Sequence, residues 1–307
     1  MPTPPISTDV LLETLKVFNE CAGNTCETAE RLKLTRGGVQ SRIRAAKARG
    51  LSPEVPEAGY NSKPKVLMLD IETAPHLVTS WGLFKQNIAI NQIIKPGYTM
   101  CWAAKWHGKP GVMFDSIMSS PRQMVQGVHA LMDEADVIVH YNGNSFDVPT
   151  LHKEFLLQDM PPPAPSRHVD LLNTARKKFR LASNKLDFIS QELGIGAKSE
   201  HKGHKLWLEC MERKKSAWKV MERYNKNDVL LLEKLYDSLL PWISDNLNLS
   251  AFGNTFCCPR CWSGDYKQRK TVTLTTGIYR RYECNSCSGW FRINMREKHQ
   301  RTKAIAI

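Results

Sequence analysis

At 307 residues the chain is long enough for one sizeable domain with two small ones beside it, and its globular composition excludes a low-complexity or repeat protein. Its 43 Lys and Arg against 30 Asp and Glu leave a formal charge of +13, an imbalance that favours anionic partners. No apolar stretch reaches membrane-spanning length and Met1 to Pro5 lacks the basic start of a signal peptide, so a cytoplasmic protein is predicted, in which nine cysteines suit metal ligation better than disulfides.

The first fifty residues read as three helices. Asp9 to Asn19 forms one, Thr25 can cap a second over Cys26–Leu32, and Thr35 a third over Arg36–Arg49 that Gly50 ends. The segment from Thr28 to Ile43 (TAERLKLTRGGVQSRI) resembles helix-turn-helix domains. That resemblance implies a last helix that enters the major groove, with Arg36, Gln40, Ser41, Arg44 and Lys47 as candidate contacts to base or phosphate. A plain three-helix packing module is the alternative. Residues 51–63 hold Pro53 and Pro56 and read as a linker.

Val66 to Leu69 is a short apolar run that predicts a buried strand. Side chains alternate along a strand, so Asp70 and Glu72 share a face and Ile71 turns into the core. Two adjacent carboxylates repel unless a cation sits between them, and hard oxygen ligands suit Mg²⁺ or Mn²⁺. A strand end with two solvated acids is the alternative. Asp136 to His140 predicts another buried strand, followed by a turn at Asn142-Gly143 and a helix from Asp147 to about Leu157. Asp147 could bind metal or only favour the helix dipole. Asp170 ends a further strand, as a fifth acid or as a cap. Lys185, Lys198, Lys202 and Lys205 could line a substrate groove or form a solvated loop. His140 and His152 read as packing or surface residues. A long helix is predicted from about Ala217 to Leu239, with Tyr224 and Asp228 on one face, either a functional pair or an ordinary polar stripe.

Together the segments VLMLDIET (66–73), YNGNSFDVP (141–149) and YNKND (224–228) resemble the DEDDy branch of the DnaQ-like 3′–5′ exonucleases, within the ribonuclease H-like superfamily. The middle segment is especially similar to the proofreading domain of family B DNA polymerases. The resemblance covers about Lys65 to Trp242. It implies an α/β fold, a ribonuclease H-like mixed sheet flanked by helices. It also implies that Asp70, Glu72, Asp147 and Asp228 hold two Mg²⁺ or Mn²⁺ ions and that Tyr224 positions the attacking water. Thr73, Asn142 and Phe146, within the same motifs, would lie against the nucleic acid.

Near the C-terminus, Cys258-x-x-Cys261 and Cys284-x-x-Cys287 flank an alternating segment around Thr276-Gly277, the pattern of a small β zinc ribbon with one structural Zn²⁺. Cys257 is a possible substitute ligand. Residues 251–307 carry eleven Lys and Arg against three acids, which suggests phosphate contact. Trp262, Trp290 and Phe291 could stack on bases or form the ribbon's core. The expected architecture is therefore a helix-turn-helix head (1–50), a linker (51–63), an exonuclease domain (64–248) and a ribbon with a basic tail (249–307). The expected activity is hydrolysis at DNA 3′ ends by two metals, releasing nucleoside 5′-monophosphates. RNA as the substrate, or a non-catalytic regulator that binds ends or junctions, remains the alternative. A replication or repair partner and a phage or mobile-element setting in a host cell suit this architecture.

Overall fold

In the computed structural model, the described residues are 6–21, 25–49, 51, 63–200, 202–244, 247–252, 256–295 and 305–306. The side chains of Asn19, Glu20 and Lys47 fall outside that description, as do residues 52–62 of the expected linker and Gly50, the expected helix stop. The chain divides into two compact units, 1–62 and 63–307.

The first unit holds three helices, α1 (Thr8–Glu20), α2 (Thr25–Arg31) and α3 (Arg36–Ala48). Leu11, Leu15 and Ala46 form its small core, with Ile43 packed against it. Thr35 caps α3: its Oγ1 accepts from the Gly38 amide at 3.1 Å. Arg36, Ser41 and Arg44 are exposed, Gln40 is half-buried, and the Lys47 side chain lies outside the described residues.

The second unit is built on a five-stranded sheet. Its strands are β1 (Val66–Thr73), β4 (Thr99–Trp106), β5 (Met113–Ser116), β6 (Val137–His140) and β7 (Arg167–Asp170), in the order β5-β4-β1-β6-β7. A short ribbon of β2 (Leu77–Val78) and β3 (Ile93–Lys95) leaves the sheet between β1 and β4. Strand β1 is central, antiparallel to β4 and parallel to β6, so the sheet is mixed. Helices α4 (Pro121–Glu134), α5 (Asp147–Leu157), α6 (Leu171–Lys178), α7 (Leu186–Glu192), α8 (His204–Met211) and α9 (Lys215–Leu239) cover it.

The central strand explains why Val66 to Leu69 is apolar without a break. Leu67, Leu69 and Ile71 feed one core, with Met124, Val128, Leu151 and Phe155 from α4 and α5. Val66 and Met68 feed the other, with Val229, Leu232 and Leu235 from α9. A strand covered on both faces has no solvated side for polar residues. Asp70 and Glu72 continue the Val66–Met68 face. Two polar ties fix α9 on the sheet: the nearly buried Lys105 Nζ pairs with Glu233 Oε1 at 2.8 Å, and His107 Nε2 lies 2.8 Å from Asp237 Oδ1. Desolvation offsets much of the attraction in such a pair, so its net contribution to stability is small.

The turn after β6 is tight. Asn142 adopts φ 67°, which asparagine tolerates, and a Cβ on Gly143 would come within 2.4 Å of His140 Cγ. His140 is fully buried and its Nδ1 accepts from the Gly143 amide at 3.1 Å. Burial lowers its pKa to about 4, so it is a neutral packing residue. Gly143→Ala is expected to cost at least ~1–3 kcal/mol, as overpacking does. Urea unfolding checks this, and an unmoved midpoint would mean that the His140 ring can yield.

Candidate metal and nucleic-acid site

Strand β1 and helix α9 bring the acids together. Ligand oxygens of Asp70, Glu72 and Asp228 all lie within 4.8 Å of one another. Asp70 and Glu72 come from one face of β1, and Asp228 lies one helical turn beyond Tyr224 on the buried side of α9. Asn225 secures the pair of elements: fully buried, it donates Nδ2 to Asp70 Oδ2 at 2.6 Å. Asp147 lies outside this group of three. It is buried at the start of α5, and its Oδ1 accepts from the Ile71 amide at 3.2 Å, between the two β1 acids.

This crowding has an electrostatic cost. Burial, then the charges of Asp147, Glu72 and Asp228, hold Asp70 well above the carboxylate range. Burial and Asp228 push Glu72 up to about 8, and burial pushes Asp147 up to about 7. Asp228 is raised by burial, against the pull of Lys198. The donor set fits a divalent cation: the oxygens are hard, and Asp228 Oδ1 is buried without a hydrogen-bond partner. A bound cation would relieve both the repulsion and the orphaned oxygen.

Lys198 was placed only in a general basic region by sequence, yet it enters the cluster. Its Nζ lies 2.6 Å from Asp228 Oδ2 and donates to Tyr224 Oη at 3.1 Å. Burial opposes its charge, but Asp228 and Tyr224 beside it hold the ammonium above its usual range. Burial, then Asp228, likewise raises Tyr224, which stays a neutral phenol. Trp207 of α8 also joins: it hydrogen-bonds Glu72, and its ring meets Tyr224 edge to face at 6.0 Å. Sequence reading assigned no role to Asn225 or Trp207. The signal for Asn225 lay inside the YNKND motif, one residue from Tyr224 and three from Asp228. Trp207 had none.

The other predicted residues distribute as follows. Asp170 is a cap and turn anchor: Oδ1 accepts from the amides of Asn142 at 2.9 Å and Leu172 at 3.1 Å, and Oδ2 from Asn144 at 3.4 Å. Lys185, Lys202 and Lys205 are exposed. Thr73 is half-buried at the end of β1, Asn142 is exposed, and Phe146 is 46% exposed. Tyr141 donates its hydroxyl to Asn184 O at 2.5 Å, a structural tie.

The second cluster is Cys258, Cys261, Cys284 and Cys287, whose Sγ atoms lie within 4.8 Å of one another. It stands beside a four-stranded sheet of β8 (Tyr266–Leu274), β9 (Gly277–Cys284), β10 (Trp290–Asn294) and β11 (Ile305–Ala306), with Cys258 and Cys261 before β8, Cys284 at the end of β9 and Cys287 in the turn before β10. Cys258 and Cys287 are 3.7 Å apart and Cys261 and Cys284 3.5 Å. Zn–S bonds of about 2.3 Å in a tetrahedron give edges of ~3.8 Å, whereas a disulfide needs ~2 Å. The thiols therefore fit zinc. Hydrogen bonds from Cys261 and Cys287 hold the Cys258 thiol below its usual range. Cys257 is buried but outside the cluster. Phe291 is fully buried and stacks on Tyr282 at 5.2 Å, so it is ribbon core. Trp290 is 37% exposed.

Arg260, between the two cysteines of the first knuckle, is fully buried. Its Nε donates to Ile243 O at 2.8 Å and its Nη1 to Trp290 O at 2.5 Å. Burial lowers its pKa, while all four cysteines favour its charge. The guanidinium thus stands beside the four cysteines and ties the ribbon to the segment that follows α9.

Two predictions follow from these clusters. Purified protein should contain one zinc per chain by elemental analysis, and Cys261→Ser should lose it and lower the melting temperature; equal metal content in both would sink the site. The folded values of Glu72 and Asp147, about 8 and about 7, exceed their unfolded ones. Their contribution to stability is therefore complete below about pH 4 and lost as pH rises through 7 to 8. Metal-free protein should melt at a lower temperature at about pH 8 than at about pH 5, and Mn²⁺ should raise the midpoint more at the higher pH. An equal shift at both would contradict the pairing of cation and acids.

Comparison with known proteins bears on the same region. A search of curated proteins finds no match. Among solved structures, the family B DNA polymerase of the hyperthermophilic archaeon Pyrobaculum calidifontis is similar over 59% of this chain, with 19% identity and a TM-score of 0.46. This chain spans 25% of that polymerase's length. Among the described residues no helix is long and apolar enough to cross a membrane. Residues 104–240 match the RNase_H_2 model of the RNase_H superfamily, a span that holds Asp147, Tyr224 and Asp228 and stops short of Asp70 and Glu72. The mixed sheet, its flanking helices and this match together make the core of the second unit an RNase H-like domain.

Proposed function

We propose that the protein is a metal-dependent 3′–5′ exonuclease acting on DNA. The observation that carries this is the convergence of Asp70, Glu72 and Asp228 within 4.8 Å, on the face where Tyr224 also lies. Asp70, Glu72 and Asp228 would hold one Mg²⁺ or Mn²⁺, and Asp70 with Asp147 a second. Such ions lower the pKa of water and stabilise the attacking and leaving oxygens of an in-line displacement.

The side chains supply orientation. Tyr224 remains protonated and can hydrogen-bond the water that attacks phosphorus. Lys198 holds Tyr224 and Asp228 in one arrangement. Asn225 keeps the Asp70 carboxylate turned toward α9. Attack forms the new P–O bond and breaks the bond to the 3′ oxygen. That oxygen takes a proton, leaving a shortened strand with a 3′ hydroxyl and a nucleoside 5′-monophosphate. The three-helix head, with Arg36, Gln40, Ser41, Arg44 and Lys47 on or near α3, supports DNA docking. The charge of residues 251–307 supports phosphate contact. Thr73, Asn142 and Phe146 would lie against the substrate strand, and RNA is the alternative substrate.

One observation favours a second, non-catalytic reading. Lys198 Nζ sits 2.6 Å from Asp228 Oδ2 and could replace a cation there. Such a domain would bind nucleic-acid ends without cutting them. The two readings separate on 5′-labelled single-stranded DNA and RNA incubated with Mg²⁺ or Mn²⁺. A ladder shortening from the 3′ end is expected, abolished by Asp70→Ala or EDTA, with Tyr224→Phe slowed ~10²–10⁴-fold as for loss of a positioned proton-handling group. No cleavage of either strand by the wild type would leave the binding reading.

A further inference from the structure

The segment of residues 75–98, between β1 and β4, touches the fold's own core only at its base, through Tyr98. None of residues 75–98 is buried. Yet the segment is rich in large apolar side chains, and those near its tip stand in solvent: Trp81 is fully exposed, Leu83 92%, Phe84 83% and Ile90 88%. Scattered exposed apolar residues need no explanation, but a run of them marks a surface that meets something.

The segment is an ordered arm. At its base the Ala74 amide donates to Tyr98 O at 2.8 Å and the Gly97 amide to His76 Nδ1 at 3.1 Å. A Cβ on Gly97 would come within 2.6 Å of Ala74 O, so the two strands approach as closely as backbone permits. Above the base β2 pairs with β3. Gln92 then closes the arm: its Nε2 donates to Thr79 O at 3.0 Å and its Oε1 accepts from the Ala89 amide at 2.8 Å. These bonds hold the two sides of the arm together and leave its large apolar side chains outward.

Charge and position identify the occupant. No acidic residue lies between Thr73 and Phe114, while Lys85 and Lys95 are both on the arm. The arm grows from β1 itself, and Trp81 lies nine positions after Glu72. The reach between them is at most ~30 Å, so the tip stays within a short stretch of strand from the acids. Aromatic faces beside cations, without anions, suit stacked bases and phosphates. We propose that residues 77–95 are a stacking arm for single-stranded nucleic acid, in which Trp81 and Phe84 engage bases of the strand whose end reaches the carboxylates. The inference rests on the nuclease reading of that site.

The test uses the full chain carrying Asp70→Asn, in EDTA, with 5′-fluorescein-labelled oligodeoxythymidine followed by anisotropy. Trp81→Ala with Phe84→Ala is expected to raise Kd at least ~10-fold, the scale of lost stacking. Trp81→Phe with Phe84→Tyr should stay within ~3-fold of the parent. The exposed positions leave the melting temperature unmoved. An unchanged Kd in the alanine pair overturns the proposal. So does an unchanged Kd accompanied by loss of a dimer in light scattering, which would give the arm to a second copy of the chain. Binding is read without turnover. Failure of the wild type to cleave would therefore sink the nuclease reading alone, and an unmoved Kd would sink the arm alone.

Discussion

Apolar packing forces carboxylates together that would otherwise stay apart. Strand β1 offers alternate residues to two cores, and helix α9 lays Val229, Leu232 and Leu235 against the face that carries Val66 and Met68. Asp70, Glu72 and Asp228 sit where those same two elements continue past the apolar contact. Their repulsion is therefore imposed by burial elsewhere, and each is held in a state that disfavours ionisation. Asn225, Lys198 and the amide of Ile71 each partner one acid, but none balances the whole set. A site strained in this way is compatible with a bound cation, which would relieve the repulsion.

The cysteine cluster solves a different problem. A small three- to four-stranded sheet cannot bury enough apolar surface to hold itself, and its core is little more than Phe256, Tyr266, Tyr282, Phe291 and Ile293. Four thiols at tetrahedral spacing would supply the missing cross-link by holding one zinc ion. Arg260 makes that cross-link more than local, because one guanidinium bonds Ile243 O beyond α9 and Trp290 O within the ribbon. The ribbon and the RNase H-like sheet thereby fall in one compact unit, while the three-helix head forms another.

Chain order and spacing carried much of this. The alternation through Asp70-Ile71-Glu72, the four-residue step from Tyr224 to Asp228 and the paired CxxC knuckles each follow from a local period, and local periods are written in sequence. Strand β1, helix α5 and helix α9 lie close to where those periods put them. The exposed arm after Thr73 was not legible: a run such as Trp81 to Ile94 looks like core in sequence, and only the surrounding structure leaves it outside.

What the sequence by itself determined is which residue types stand at each end of each element, and hence the acidic faces, the thiol ligands and the caps. What only the tertiary structure decided is which of them meet. Lys198 lies in a loop whose neighbours Lys202 and Lys205 are exposed, and no period distinguishes it from them. Asp170 looks like one more acid after a strand, yet it spends its oxygens on three backbone amides. Trp207 and Asn225 reach the site because α8 and α9 pack where they do. Such roles depend on distances across the fold, which are set by the packing of the whole core.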